Sequence, residues 1–114
     1  MADCLFCRII AREIPGAIVY EDERVVAFRD VNPQAPVHIL VVPRRHVASL
    51  NELTGSDDGL IGEMVRRAAA IAAGEGMAER GYRTVFNCNR DGGQTVFHVH
   101  LHLLGGRAMT WPPG

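Results

Sequence analysis

The stretch His98-Val99-His100-Leu101-His102-Leu103-Leu104 decides how this chain is interpreted, because three of the chain's five histidines alternate there with apolar residues. Successive side chains of a β-strand point to opposite faces of the sheet. The pattern therefore predicts a strand from Val96 to Leu104 with three imidazoles on one face and an apolar row facing the core. Same-face residues lie about 7 Å apart along a strand, so the histidine row can span a phosphate and its neighbouring groups.

The chemistry of imidazole favours a functional interpretation of this row. With an unperturbed pKa of about 6.5, histidine can act near neutral pH as a neutral nucleophile or as a cationic anion-binding group. One imidazole can attack while its neighbour binds or protonates. Two alternatives stay open from the pattern alone, namely a strand whose exposed face carries histidine and a ladder of metal ligands. Three polar groups on an apolar segment are costly to leave without partners, so we favour the functional site.

The whole-chain composition indicates one globular domain, residues 1–114, with 47% apolar residues and a net charge of −1. A nucleic-acid partner held by a broad basic surface is disfavoured by this charge. No apolar run approaches the roughly 20 residues that span a bilayer, and no signal-peptide pattern opens the sequence, so we expect no membrane partner and a cytoplasmic location. Three cysteines fit reduced thiols or metal ligation better than a disulfide framework.

The rest of the pattern predicts an α+β fold. Short apolar runs between turn residues predict strands at 18–20, 25–28, 38–42 and 82–87. One long helix is predicted from about 57 to 73, with Thr54 or Ser56 as its N-cap and Gly74 and Gly76 as its stop. Segments 4–11 and 49–52 predict short helical turns. Because strands and helices do not alternate, we expect an antiparallel sheet of about five strands with the helices on one face.

The histidine row is entered through Asp91-Gly92-Gly93-Gln94-Thr95. Glycines allow backbone N–H groups to approach an anion closely, and Gln94 and Thr95 add side-chain donors. A glycine pair alone more often marks a turn, but its position directly before the histidine row favours a phosphate site. The chain has no G-x-x-x-x-G-K-[ST] element, so its chemistry need not follow the Walker scheme with magnesium.

The motif His-x-His-x-His followed by two apolar residues resembles the signature of the histidine triad (HIT) superfamily of nucleotide hydrolases and transferases. The likeness extends through residues 28–38, 43–46 and 91–106. The tail 105–114, which ends in Trp-Pro-Pro-Gly, is similar to that of the Hint branch, the purine nucleoside phosphoramidate hydrolases. The resemblance implies a single HIT domain whose sheet continues across a homodimer.

The resemblance also implies a two-step reaction. His100 would attack the α-phosphorus and form a nucleotidyl-histidine, which water then cleaves to release AMP or another nucleoside monophosphate. His102 and His38 would line the phosphate site and support the nucleophile. Thr95 stands where the Hint branch often has serine near the leaving group, and it keeps the hydroxyl.

Nucleotide-binding residues follow from the same resemblance. Asn87 and the backbone of Gly93 and Gln94 would contact the phosphate. Asp30 would hold the ribose, because a carboxylate can accept hydrogen bonds from both hydroxyls of a vicinal diol. From the sequence alone, a turn residue before Asn32-Pro33 is the favoured interpretation of Asp30. The slot for the base would be formed by apolar residues that are almost as well explained by core packing: Val31 and Leu40, with Phe6, Ile9 or Ile18.

The third histidine of the motif discriminates within the superfamily. The nucleotidylyl-transferase branch carries Gln where this chain has His102, so hydrolysis is favoured. The predicted substrates are purine nucleoside 5′-phosphoramidates such as AMP-NH₂, AMP-lysine and aminoacyl-adenylate-like compounds. Two rivals remain: a dinucleoside polyphosphate hydrolase of the Fhit type, and a nucleotide-binding regulatory protein that docks to a partner.

Cys4 and Cys7 have the C-x₂-C spacing of half a tetrahedral zinc site. Bacterial triad proteins that begin in this way often complete the site with two histidines, which implies His46 and His98 here. Two thiolates and two imidazoles close the coordination shell, so the resemblance implies a structural Zn²⁺ and no cofactor for the chemistry itself. The alternative is an unmetallated pair of reduced cysteines.

Overall fold

One five-stranded antiparallel sheet forms the framework in the computed structural model, which describes residues 3–114. Its strands are β1 (Ile18–Glu21), β2 (Val25–Arg29), β3 (Val37–Pro43), β4 (Tyr82–Phe86) and β5 (Leu101–Gly105). They lie in the order β1-β2-β3-β5-β4, so β1 and β4 form the two edges. Strand β3 pairs with β5 so that Leu40 lies opposite His102. The predicted α+β class and all four predicted strands at 18–20, 25–28, 38–42 and 82–87 are confirmed.

Three helices accompany the sheet: α1 (Leu5–Ile10), α2 (Asp58–Gly74) and α3 (Asn89–Gly92), with 3₁₀ turns at Leu50–Glu52 and Gly55–Asp57. Asp57 is the N-cap of the long helix α2, in place of the predicted Thr54 or Ser56. Thr54 instead caps the 3₁₀ turn Gly55–Asp57, where the Asp57 carboxylate accepts a hydrogen bond from the Thr54 N–H. It ends at Gly74, and Gly76 then reverses the chain with a φ of +80°. Within residues 3–114, no helix is long and apolar enough to cross a membrane.

The sheet is covered on both faces, contrary to the expectation that the helices share one face. Residues of β2 alternate, with Val25 and Ala27 in the core beneath α2 and with Val26 and Phe28 in a second core beneath α1. A strand that is apolar on both faces needs cover on both. The short helix α1 supplies it through Phe6 and Ile9, both buried.

The histidine segment differs from the predicted continuous strand, because ladder pairing begins only at Leu101. The register would place Pro43 opposite Val99, but proline has no N–H to donate to a ladder. The Pro43 carbonyl instead accepts a hydrogen bond from the His98 ring at 2.7 Å, and the Val99 N–H donates to the Val47 carbonyl at 2.7 Å. The alternation of sides survives: Val99, Leu101 and Leu103 lie in the α2 core.

Candidate active site

A cleft of about 250 Å³ lies on the α1 side of the sheet. His100 and His102 line it together with Thr95, and Asp30 lies at its rim at the end of β2. Its remaining wall is largely apolar and comes from α1, from the turn after it and from the sheet: Leu5, Phe6, Ile9, Ile14, Pro15, Gly16, Phe28, Arg29, Val31, Leu40 and Val96. Apolar walls with a few converging polar groups are typical of small-molecule sites.

His100 is buried and held in one orientation. Its Nδ1 lies 2.7 Å from the backbone carbonyl of His98, which can only accept, so Nδ1 carries the proton and Nε2 has the free lone pair. The edge-on ring of Phe6 packs against the imidazole, with centroids 4.9 Å apart. Burial lowers the pKa of His100 below its ordinary value. The arrangement gives a neutral imidazole suited to nucleophilic attack through Nε2.

The tautomer of His102 is fixed by its hydrogen bond with His38. The backbone N–H of Gln34 donates to His38 Nδ1 at 3.0 Å, which leaves the proton of His38 on Nε2. That Nε2 lies 2.9 Å from His102 Nδ1 and 3.5 Å from Asp30 Oδ2. His102 therefore accepts at Nδ1 and carries its own proton on Nε2. His100 and His102 thus differ in chemistry: one offers a lone pair at Nε2 and the other an N–H donor.

The ionisation of His102 can be tested directly. Burial, followed by the neighbouring His100 and His38, lowers the pKa of His102 to about 4. The unfolded chain therefore binds more protons than the folded protein between pH 4 and 6.5, and stability is lost as the pH falls through this window. We expect the parent to lose more stability than His102→Gln between pH 7 and 5, by up to about 2 kcal/mol, measured by denaturant unfolding. An equal loss in both proteins would contradict the depressed pKa.

The loop before the histidine segment departs from the predicted phosphate cradle, because both the Gln94 side chain and the backbone N–H groups of Gly93 and Gln94 are hydrogen-bonded within the fold. The Gln94 side chain was expected to donate to an anion, but its amide is fully used inside the fold. Its Nε2 donates to the carbonyls of Ala48 and Val96, and its Oε1 accepts from the Asn89 N–H. Gln94 is buried, because this amide joins the loop to the neighbouring segment. Thr95, by contrast, lines the cleft.

The other two expected phosphate contacts lie just outside the cleft lining. The N–H groups of Gly93 and Gln94 donate at 3.0 Å to the carbonyls of Arg90 and Asn89, which closes the single turn of α3. Gly93 adopts a φ of +83°, the left-handed conformation that glycine permits at a helix end. Asn87 is half-buried at the end of β4 and packs beside Gly92.

The predicted metal ligands are brought together beside the cleft. Cys4, Cys7, His46 and His98 come from distant parts of the chain, yet their ligand atoms all lie within 4.8 Å of one another. The Nδ1 atom of His98 is 3.4 Å from Cys4 Sγ, 3.5 Å from Cys7 Sγ and 3.2 Å from His46 Nδ1. Zinc bonds of about 2.3 Å to sulfur and 2.0 Å to nitrogen give tetrahedral separations of roughly 3.5 Å between sulfur and nitrogen and 3.3 Å between two nitrogens. The cluster fits that geometry.

The protonation of this cluster also fits a cation. His98 donates from Nε2 to the Pro43 carbonyl, so its Nδ1 presents a lone pair to the thiols, as a metal-ligating histidine does. Burial and the adjacent Cys4 thiol raise the pKa of Cys7 to about 11, and a bound cation would lower it by stabilising the thiolate. The four groups complete a shell with no open position, which is the form of a structural site.

The apolar slot was only partly foreseen. Phe6, Ile9, Val31 and Leu40 line the cleft as expected, whereas Ile18 packs into the core beneath α1 instead. Sequence reasoning missed Phe28 and the Ile14-Pro15-Gly16 turn. Phe28 alternates with Ala27 on a strand apolar on both faces, which was the available signal. The turn was identified only as a helix breaker.

The fold is α+β with a five-stranded antiparallel sheet, and its histidines cluster beside the cleft. This combination is characteristic of the class of histidine triad proteins. The HIT domain family model matches residues 11–109. The chain therefore belongs to the HIT family. The purine nucleoside phosphoramidase of Escherichia coli (strain K12) is 50% identical over 107 residues, which cover 94% of this chain and 90% of that protein.

Solved structures agree with this assignment. A HIT family hydrolase from Legionella pneumophila Philadelphia 1 superposes with a TM-score of 0.96 at 53% identity, covering 98% of this chain and 100% of that one. A zinc-bound histidine triad family protein from Mycobacterium smegmatis superposes with a TM-score of 0.80 at 30% identity, covering 93% of this chain and 76% of that one.

Proposed function

We propose that this protein is a hydrolase of purine nucleoside 5′-phosphoramidates that acts through a covalent nucleotidyl-His100 intermediate. The observation that carries the proposal is the fixed tautomer of His100, whose Nδ1 donates to the His98 carbonyl while Nε2 is left as a lone pair beside the cleft. The named activity of the Escherichia coli relative supports the substrate class.

In the first step, His100 Nε2 attacks the α-phosphorus and the P–N bond breaks, with its electron pair going to the amine, which takes up a proton from solvent as it leaves. In the second step, water attacks the same phosphorus, the bond to His100 breaks and AMP is released. The Nε2–H of His102 is the proposed donor to a non-bridging phosphate oxygen, since its Nδ1 is already occupied by His38. The Thr95 hydroxyl is the proposed contact near the leaving group, and Asn87 with the Gly93 and Gln94 backbone is proposed to border the phosphate.

The nucleoside half of the substrate is proposed to occupy the apolar part of the cleft. Val31 is 98% exposed and Leu40 is buried, so together they offer a rim and a floor for a base. The Asp30 carboxylate at the rim is proposed to accept from both ribose hydroxyls. Its Oδ1 already accepts from the Asn32 N–H at 2.9 Å, which fixes its orientation.

A structural Zn²⁺ is the proposed occupant of the Cys4, Cys7, His46 and His98 cluster. The tetrahedral spacing of the ligand atoms supports it, as does the zinc-bound relative. When bound, the ion would supply a cross-link between the segment before α1 and the histidine segment.

Three cysteines without a disulfide support a reducing, cytoplasmic location.

A homodimer joined through the sheet is also proposed. Strand β4 lies at an edge, and an unpaired edge favours pairing with a second copy. Tyr82 on this strand and Trp111 in the tail are exposed apolar groups, and Trp111 is 81% exposed. Sedimentation of the zinc-loaded protein would test the dimer.

The test of the proposed function is a quenched incubation with adenosine 5′-phosphoramidate, followed by intact mass spectrometry and peptide mapping. We expect an AMP adduct on His100 and release of AMP. Diadenosine tetraphosphate is the matched substrate, and we expect much slower turnover of it. If neither substrate gives an adduct or AMP, the hydrolase proposal is wrong; faster cleavage of the polyphosphate would replace the substrate class.

The role proposed for Asp30 makes a separate prediction. Asp30→Asn removes one anionic acceptor, so we expect kcat/KM for the adenosine substrate to fall about 10- to 100-fold. The 2′-deoxyadenosine substrate serves as the control, because it already lacks one of the hydroxyls. The parent should prefer the ribonucleotide and the variant should lose that preference. An equal loss for both substrates would assign Asp30 to the His38 pair and not to the sugar.

A further inference from the structure

The chain after β5 returns to the loop that precedes β3. Gly106 turns the backbone with a φ of +88°, and a Cβ at this position would lie only 2.9 Å from Pro36. Close passage over Pro36 therefore requires glycine. The turn carries Arg107 to Gln34, where Nε and Nη2 both donate to the Gln34 carbonyl, at 3.2 and 3.0 Å.

This guanidinium contacts backbone and no acid. Its third hydrogen bond, from Nη1, goes to the carbonyl of Ala108 at 3.1 Å. Among residues 3–114, no carboxylate lies within ion-pair distance of Arg107. A guanidinium presents its donors in a rigid planar fork, so two of them on a single carbonyl restrict the position of that peptide group.

Gln34 is also the residue that sets the tautomer of His38. Its N–H donates to His38 Nδ1, and its side-chain Nε2 donates to the Asn32 carbonyl at 3.0 Å. The Gln34 carbonyl thus accepts from Arg107 in the tail, and the Gln34 N–H donates to His38 in the active site. A continuous chain of hydrogen bonds runs from Arg107 through Gln34 and His38 to His102.

We propose that Arg107 is a positioning residue for the active site, which holds Gln34 so that its N–H keeps His38 in the Nε2–H tautomer. The catalytic consequence rests on the proposed function, because it is His102 that then presents Nε2–H to the phosphate. Arg107 itself touches no substrate and lies outside the cleft lining. Without it, the Gln34 N–H is free to move off His38 Nδ1, and the proton of His38 can occupy either nitrogen.

The direct readout is the ¹⁵N chemical shifts of the His38 and His102 ring nitrogens in the ligand-free, zinc-loaded protein. In Arg107→Ala, we expect the two nitrogens of His38 to move toward each other, as tautomer exchange averages them. With adenosine 5′-phosphoramidate, kcat should fall about three- to tenfold with little change in KM, since the Asp30 backbone is held by its N–H on the His38 carbonyl, a bond that does not depend on which ring nitrogen of His38 carries the proton. Arg107→Lys keeps one donor and should recover part of kcat.

Arg83→Ala is the matched control. Arg83 Nη2 donates to the carbonyl of Thr110, so this variant loosens the tail further along without touching Gln34. We expect its His38 shifts to match those of the parent. If both arginine variants change His38 equally, Arg107 serves only general tail packing and the proposal is wrong. Unchanged His38 shifts in Arg107→Ala also overturn it.

Gln34→Pro removes the N–H itself and should produce the same change in His38, to a larger extent. If Arg107→Ala unfolds, Arg107→Lys carries the test of Arg107, and Gln34→Pro tests the Gln34–His38 hydrogen bond, with its own folding checked by circular dichroism. The nitrogen shifts need no turnover, so the role of Arg107 can be judged even if the protein fails to cleave phosphoramidates. If the parent shows the Nδ1–H tautomer of His38, the role proposed for Arg107 is wrong, while the proposed hydrolase function is unaffected.

Discussion

Replacing His100 by glycine is expected to lower kcat for adenosine 5′-phosphoramidate by at least about a thousandfold, because removing the proposed covalent nucleophile leaves only binding and electrostatic stabilisation. The variant should still bind AMP, since Asp30, Leu40 and His102 remain in the cleft. Single-turnover kinetics and AMP titration by calorimetry measure the two effects. Residual activity within tenfold of the parent would contradict a covalent mechanism through His100.

His46→Ala is the matched histidine substitution for this experiment. His46 belongs to the metal cluster, and its Nδ1 lies 3.4 Å from Cys7 Sγ. We expect the His100 variant to keep its zinc and lose turnover. The His46 variant should lose zinc and keep most of its turnover at a temperature where it stays folded. If both variants lose zinc as well as turnover, the two sites depend on each other and their separate roles are contradicted.

The second large effect is expected from zinc removal. Holding free zinc a hundredfold above its dissociation constant stabilises the folded state by about 2.7 kcal/mol, so chelation should lower the free energy of unfolding by that amount. Hydrogen exchange should rise first in residues 4–11, because Cys4 and Cys7 are the points at which zinc would tie α1 to the histidine segment. Denaturant unfolding with and without chelator measures the first effect.

Cys88→Ser is the control for the thiol chemistry of that experiment. Cys88 precedes α3 and is outside the metal cluster. Its substitution should leave zinc content at one ion per chain, whereas Cys7→Ser should abolish it. A chain that binds no zinc, and whose stability is unaffected by chelator, would leave the cluster as reduced thiols hydrogen-bonded to imidazoles.

Much of the fold was accessible because the sequence is locally consistent. Period-2 alternation placed the Val99, Leu101 and Leu103 row in the core, and helical spacing placed α2 within one residue at either end. The boundary of β5 was missed because it depends on Pro43, a residue 58 positions away from Leu101. A local pattern cannot report that the pairing partner lacks a donor.

The candidate site, too, could be predicted from the sequence only in part. The histidines, Asp30 and the candidate metal ligands were predicted from the motif and the resemblance, and the structure brings them into two neighbouring clusters. The hydrogen bonds that choose tautomers come from backbone groups, those of Gln34 and His98. Backbone donors are common to almost every residue type, so no sequence pattern marks them. The inward amide of Gln94 was misassigned for a related reason, since all three of its partners are backbone groups and one of them, on Ala48, is distant in sequence.

His98 couples the two clusters within a single amino acid. Its ring joins the cysteine and histidine cluster, while its own backbone carbonyl holds the proton of His100. A designer who wished to remove the proposed zinc site could not replace His98 as an exposed ligand is replaced. The substitute would have to fill the same buried volume and donate to the Pro43 carbonyl. It would also have to keep the peptide plane that aims the carbonyl at His100, so redesign would begin with an isostere at His98 and proceed to the cysteines afterwards.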